Sequence, residues 1–114
     1  MTVVLVCGGR DFNDRDKVFA ELDRLHCESP FTKLIHGGAR GVDRIAGTWA
    51  AARKVPYEVF YAEWSMGKAA GHIRNGEMLQ RGKPDLVVAF PGGLGTNNMK
   101  AQARRANVQV KEIS

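Results

Sequence analysis

The sequence predicts an α/β fold: a single domain over residues 1–114, Rossmann-like, with a doubly wound parallel sheet of five strands and helices on both faces. Three observations lead there. Strand-like and helix-like apolar runs alternate strictly along the chain. The strand-like runs are continuously apolar, as strands buried on both faces are. Glycine clusters follow the first, second and fourth of them, where such sheets keep their ligand turns.

Each element has its own reason. Thr2-Val-Val-Leu-Val-Cys7 is a buried strand. Asn13 or Asp14 caps a helix running to about Cys27, with Val18, Leu22 and Leu25 on one face. Residues 32–36 form the second strand. Val42, Ile45, Ala46, Trp49 and Ala50 then recur at i, i+3, i+4, i+7 and i+8, a helical stripe that makes Trp49 a packing residue. Pro56 opens a third strand, residues 57–61. A loop carries Glu63-Trp64-Ser65, and a weaker helix runs from about Lys68 to Arg81. Strand 85–90, helix 96–106 and strand 108–113 complete the chain. The expected strand order is 3-2-1-4-5.

The bulk properties narrow the partners. Net charge is +5, with basic residues dispersed along the chain, so anionic partners are expected. No apolar stretch reaches the ~20 residues of a membrane span, and the N-terminus lacks the pattern of a signal peptide. The expectation is a cytoplasmic protein with no membrane contact. Cys7 and Cys27 read as reduced packing thiols. His26, His36 and His72 have no metal-ligand spacing, so no metal and no cofactor is expected.

The segment Phe90-Pro91-Gly92-Gly93-Leu94-Gly95-Thr96 carries the most chemistry. A strand ending in glycines and turning into a helix lets the backbone approach an anion, with free amides and the helix dipole aimed at it. Gly92, Gly93 and Gly95 form the turn, and Thr96 adds a hydroxyl that caps the helix or binds the same oxygen. Gly8 and Gly9, then Gly37 and Gly38, follow the other two strands at the same edge. Arg10 and Arg40 stand beside them and suit phosphate recognition. Neither G-x-G-x-x-G nor G-x-x-x-x-G-K-[ST] occurs, which disfavours dinucleotide fingerprints and P-loop chemistry. Asp43 is a ribose acceptor, a base, or a dipole partner of its helix. Trp64 stacks on a base or closes the core. Glu63 is exposed by default, and Glu77 pairs with Arg74 or Arg81.

Pro91-Gly92-Gly93-Leu94-Gly95-Thr96 resembles the P-G-G-x-G-T motif of LOG-type phosphoribohydrolases. Gly71-His72-Ile73-Arg74-Asn75-Gly76-Glu77-Met78 is similar to their helix motif. Over nearly its whole length the chain resembles more closely a small SLOG-superfamily family of bacteria and phages. That resemblance rests on Gly8-Gly9-Arg10-Asp11, His36-Gly37-Gly38-Ala39-Arg40-Gly41-Val42-Asp43, Ala62-Glu63-Trp64, Gly67-Lys68-Ala69-Ala70-Gly71 and Arg74-Asn75-Gly76-Glu77-Met78. It implies a SLOG-like Rossmann fold and a nucleotide or nucleotide-derived ligand, with phosphate held at Gly92, Gly93, Gly95 and Thr96 and Arg74 reaching it from the neighbouring helix. The LOG likeness implies a homodimer or higher homo-oligomer.

LOG-type enzymes continue their motif with two glutamates, where this chain has Asn98 and Met99. Cleaving an N-glycosidic bond develops positive charge that carboxylates stabilise. The first expectation is therefore a nucleotide-binding protein that senses or sequesters its ligand. The alternative is a nucleoside-monophosphate N-glycosidase using Asp43, Glu63 or Glu77. Nucleic-acid binding ranks third, because most aromatics fall in strands or on helix faces.

Overall fold

A computed structural model describes residues 2–114. The strands are β1 (Thr2–Cys7), β2 (Phe31–His36), β3 (Tyr57–Val59), β4 (Leu86–Ala89) and β5 (Gln109–Glu112). The helices are α1 (Arg15–Glu28), α2 (Val42–Ala52), α3 (Ala70–Gly82) and α4 (Leu94–Arg105), with a 3₁₀ segment at Trp64–Ala69. The sheet order is β3-β2-β1-β4-β5 and every pairing is parallel. This is the doubly wound order that the alternation predicts.

The pleat of the central strands builds two cores. Val4 and Val6 of β1, with Val88 and Phe90, pack with Val18, Leu22, Val42, Ala46 and Trp49 of α1 and α2. Leu5 and Cys7, with Val87 and Ala89, pack with Met78 of α3 and with Met99 and Ala103 of α4. Successive side chains of a strand point to opposite faces. The helices therefore cover both sides, and the winding reverses between β1 and β4. Trp49 is fully buried, its Nε1 donating to Asp23 Oδ1 at 2.8 Å.

Several boundaries differ from the sequence expectation, each for a local reason. Asp14 caps α1, its Oδ1 accepting from the Lys17 amide at 3.1 Å. β3 stops at Val59 because its neighbour β2 ends at His36: the Phe60 amide still donates to the His36 carbonyl, and Tyr61 has no strand left to pair with. Trp64 lies in the 3₁₀ segment, not in a loop. Gly67, at φ 84°, kinks the chain so that α3 begins at Ala70 and not at Lys68. α4 begins at Leu94, capped by Gly93, which places Thr96 inside the first turn and corrects its reading as a cap. No helix among the described residues is long and apolar enough to cross a membrane.

Candidate functional site

A cavity of about 640 Å³ opens at the carboxyl edge between β1 and β4, where the winding reverses. Its size suits a small-molecule ligand. Its walls come from Gly8, Gly9 and Arg10 after β1, Asp43 on α2, Arg74 and Asn75 on α3, and the turn Pro91–Thr96 with Met99 on α4. Two of the three glycine clusters thus meet in one cavity. Gly37 and Gly38 line a smaller adjoining one instead.

The glycines let these loops close on one another. The Gly9 amide donates to the Pro91 carbonyl at 2.9 Å and the Val42 amide to the Gly9 carbonyl at 3.3 Å. Gly41, at φ 79°, sits so close to this loop that a Cβ on it would lie 2.2 Å from the Gly9 oxygen. At Gly92 a Cβ would strike Thr96 Oγ1, so the threonine hydroxyl lies against the turn.

At the start of α4 the backbone is open. Asn97 is the first amide of the helix to find a carbonyl, that of Gly93 at 3.0 Å. The amides of Leu94, Gly95 and Thr96 donate to no group among the described residues, and no acidic residue stands in this first turn. A Cβ on Gly93 or Gly95 would meet nothing within 4 Å. Leu94, 86% exposed, leaves the turn uncovered.

Asp43 is 6% exposed and lines the cavity. Its Oδ2 accepts from the amides of Gly37 and Ala39, both at 3.2 Å, while Oδ1 accepts from no group among the described residues. Burial raises its pKa to about 6, against the opposing pull of those amides, Arg74 and Arg10. Arg74 is half-buried. It donates to the carbonyls of Gly37 and Phe60, and its guanidinium lies where a Gly37 side chain would be. Burial pushes its pKa down and Asp43 opposes that shift. Cys7, on the cavity floor, is pushed up to about 12 by burial and by Asp43, so it stays a neutral thiol.

The remaining candidates separate. Glu77 pairs with Arg81 at 3.3 Å, not with Arg74, and lies outside the cavity. Glu63 is exposed, accepts from Ser65 Oγ at 2.8 Å and also lies outside. Arg40 pairs with Asp11 at 3.1 Å and faces the adjoining cavity, as does Trp64. Trp64 is exposed, so the core-closing reading fails. His36 is buried, and its Nδ1 accepts from the Gly38 amide at 3.0 Å. Its pKa falls to about 4 through burial and Arg74. It lines neither cavity.

Sequence reasoning missed Asn75. Its buried amide accepts from Arg74 Nε and donates to the Gly95 carbonyl at 3.3 Å and to Asn98 Oδ1 at 3.1 Å. It ties α3 to the α4 turn. No local pattern marks it, because its partners on α4 reach it only through packing. Asn98, where LOG-type enzymes have a carboxylate, is held by Asn75 and by Gln102 Nε2 at 2.7 Å. Met99 is buried and apolar.

The YspA, cpYpsA-related SLOG family matches the chain over residues 2–67, from β1 into the 3₁₀ segment. The gene 61 protein of Mycobacterium phage D29 is 40% identical over 120 aligned positions, which cover 96% of this chain and 94% of the phage protein. The chain belongs to the YspA, cpYpsA-related SLOG family.

Proposed function

We propose that this member of the family binds a nucleotide or nucleotide-derived ligand, with a phosphate on the amides of Leu94, Gly95 and Thr96 and the nucleoside in the cavity. One observation carries the reading: those three amides open onto the same cavity as Asp43 and Arg74, with no protein acceptor for them among the described residues. Helix N-termini with free amides favour anions, and the absence of an acid in the first turn leaves the dipole uncompensated. Asp43 Oδ1 suits a ribose hydroxyl as donor. Phe12, Met78 and Met99 give the cavity an apolar wall for a base. Among the described residues it is a sensing or sequestering site more readily than a LOG-type catalytic one, because Asn98 and Met99 replace the LOG carboxylates.

Calorimetric titration with 5′-AMP, other nucleoside monophosphates and inorganic phosphate tests this reading. Gly93→Val should fold and lose binding, since its side chain would stand in the open space of the turn. Unchanged affinity in the folded variant sinks the proposal.

A second reading has a specific observation behind it. Asp43 alone of the three carboxylates considered reaches the cavity, and a pKa of about 6 suits a general base near neutral pH. It would take a proton from the water that attacks the ribose carbon as the base departs. Free base released by the wild type and not by Asp43→Asn would put this reading first.

A further inference from the structure

The smaller cavity, about 340 Å³, adjoins the first and shares Arg10, Ala39 and Arg74 with it. It is lined by four arginines, Arg10, Arg40, Arg44 and Arg74, and by two aromatics, Tyr61 and Trp64, with no acidic side chain among its lining residues. Only Arg40 has a carboxylate partner, the exposed Asp11. Arg44 and Arg10 make no ion pair among the described residues.

The aromatics are exposed yet held. Tyr61 is 76% exposed, and its ring lies against Gly38, where a Cβ would come within 2.6 Å of Cε1. Gly38 has φ 72°, so its backbone and this contact both require glycine. Trp64 is 56% exposed with the Arg10 guanidinium 5.2 Å from its ring centroid. Large aromatic surface kept in water beside uncompensated guanidinium groups matches the two parts of a nucleotide. Rings stack on a base, and arginine forks bind phosphate oxygens.

We propose that this cavity is a second subsite, for the base and phosphate of a second nucleotide unit, so that the ligand is a dinucleotide-class molecule. This inference rests on the reading that the first unit occupies the larger cavity. Arg10 and Arg74 line both cavities and stand where a linking phosphate would pass. The volume suits one further unit and not an extended strand, lying near the lower end of small-ligand sites, ~300 Å³.

The test compares 5′-AMP, the 5′-phosphorylated dinucleotide pApA and a 5′-phosphorylated dA twelve-mer, with UMP and pUpU as a second base series. The dinucleotides should bind at least about tenfold tighter than their monophosphates, the gain expected of one added base stack. Trp64→Ala changes an exposed side chain and should bring that ratio towards one. Equal affinity for mono- and dinucleotide overturns the second subsite. If Gly93→Val abolishes that monophosphate binding, the phosphate turn stands alone. Affinity that keeps rising to the twelve-mer overturns the proposal in favour of an open strand groove. Failure of every probe in both series removes the phosphate-turn reading as well.

Discussion

The turn before α2 and the turn before α4 stand at the same sheet edge, and each ends a parallel strand in glycines. The loops before the two helices are finished differently. Before α2 the chain supplies its own acid to the loop: Asp43, in the first helical turn, takes the loop amides of Gly37 and Ala39, although the helix amides of Asp43 and Arg44 have no acceptor among the described residues. Val42 gives its amide to Gly9, and Gly41 is pressed against the loop after β1. At α4 no acid is present, three amides lack a protein acceptor among the described residues, and Gly93 and Gly95 face open space, while Gly92 is packed against Thr96 and Gly9. Two glycine turns at one sheet edge thus differ in whether the chain itself satisfies the loop amides.

One pair of substitutions probes that difference most strongly. Gly41→Val places a β-branched residue at φ 79° with its Cβ against two carbonyls. Strain and overlap together should cost about 4 kcal/mol or more, read as a lower urea midpoint. Gly93→Val should change stability by no more than ~1 kcal/mol, the scale of an N-cap replacement, while abolishing ligand binding. Equal destabilisation by the two would erase the contrast between the turns.

The next effect concerns the acid that closes α2. Its folded pKa, about 6, lies above the ordinary aspartate value of 3.8, so the folded state holds this proton more tightly than the unfolded chain. Stability from this group is greatest below pH 3.8 and is lost as pH rises through about 6. Each unit of difference is worth about 1.4 kcal/mol, so ionised Asp43 costs the fold on the order of 3 kcal/mol at pH 7. Asp43→Asn keeps an oxygen for the Gly37 and Ala39 amides. It should raise stability at pH 7 and remove the decline between pH 4 and 6, while weakening ligand binding. Chemical denaturation at several pH values, wild type against variant, isolates this from acids with the opposite shift, such as Asp23. A variant less stable than wild type at pH 7 contradicts the assignment.

Arg74 links the two turns, since it donates to the Gly37 carbonyl and lines the cavity that the α4 turn completes. Arg74→Ala should reduce nucleotide affinity by ~1.5–3 kcal/mol, the range for a hydrogen bond to a charged group. It should also reduce stability, because two carbonyls lose a donor. Titration and denaturation on the same variant separate these. A stability loss with affinity intact makes Arg74 a structural clamp only.

Much of this was legible in the sequence because it rests on local rules. Strict alternation gives the parallel sheet, and the i, i+3, i+4 stripe places Val42, Ala46 and Trp49 in the core. Arg10, Asp43, Arg74 and the α4 glycines could be named because each sits beside a strand end or in a motif. Contacts set by tertiary approach were not legible. Asn75 acquires its role only when α3 lies against the α4 turn. Tyr61 and Trp64 read as strand and loop aromatics until β2 ends and leaves Tyr61 unpaired. Both are exposed, exceptions to the pattern of aromatics in strands and on helix faces that ranks nucleic-acid binding third.

The smallest effect belongs to the carboxylates that the fold leaves outside. Glu77 was a catalytic candidate because it lies in the helix motif of Arg74, three residues on. In a helix that spacing brings two residues to one face, yet the pair that forms is Glu77 with Arg81, four residues on, at 3.3 Å. Arg74 is drawn the other way, under the carbonyls of Gly37 and Phe60, and is half-buried there. The Glu77–Arg81 pair is exposed, 45% and 73% for the two side chains, so water and salt screen it. Exposed pairs at this spacing contribute ~0.3–0.5 kcal/mol. Glu77→Gln should therefore shift the urea midpoint barely, less at high salt, and leave nucleotide affinity and any base release unchanged. Asp43→Asn, one helix away, should change both. A Glu77→Gln protein that is stable but has lost binding or turnover would mean that the helix motif works as in LOG-type enzymes, and that the cavity around Asp43 is not where the chemistry lies.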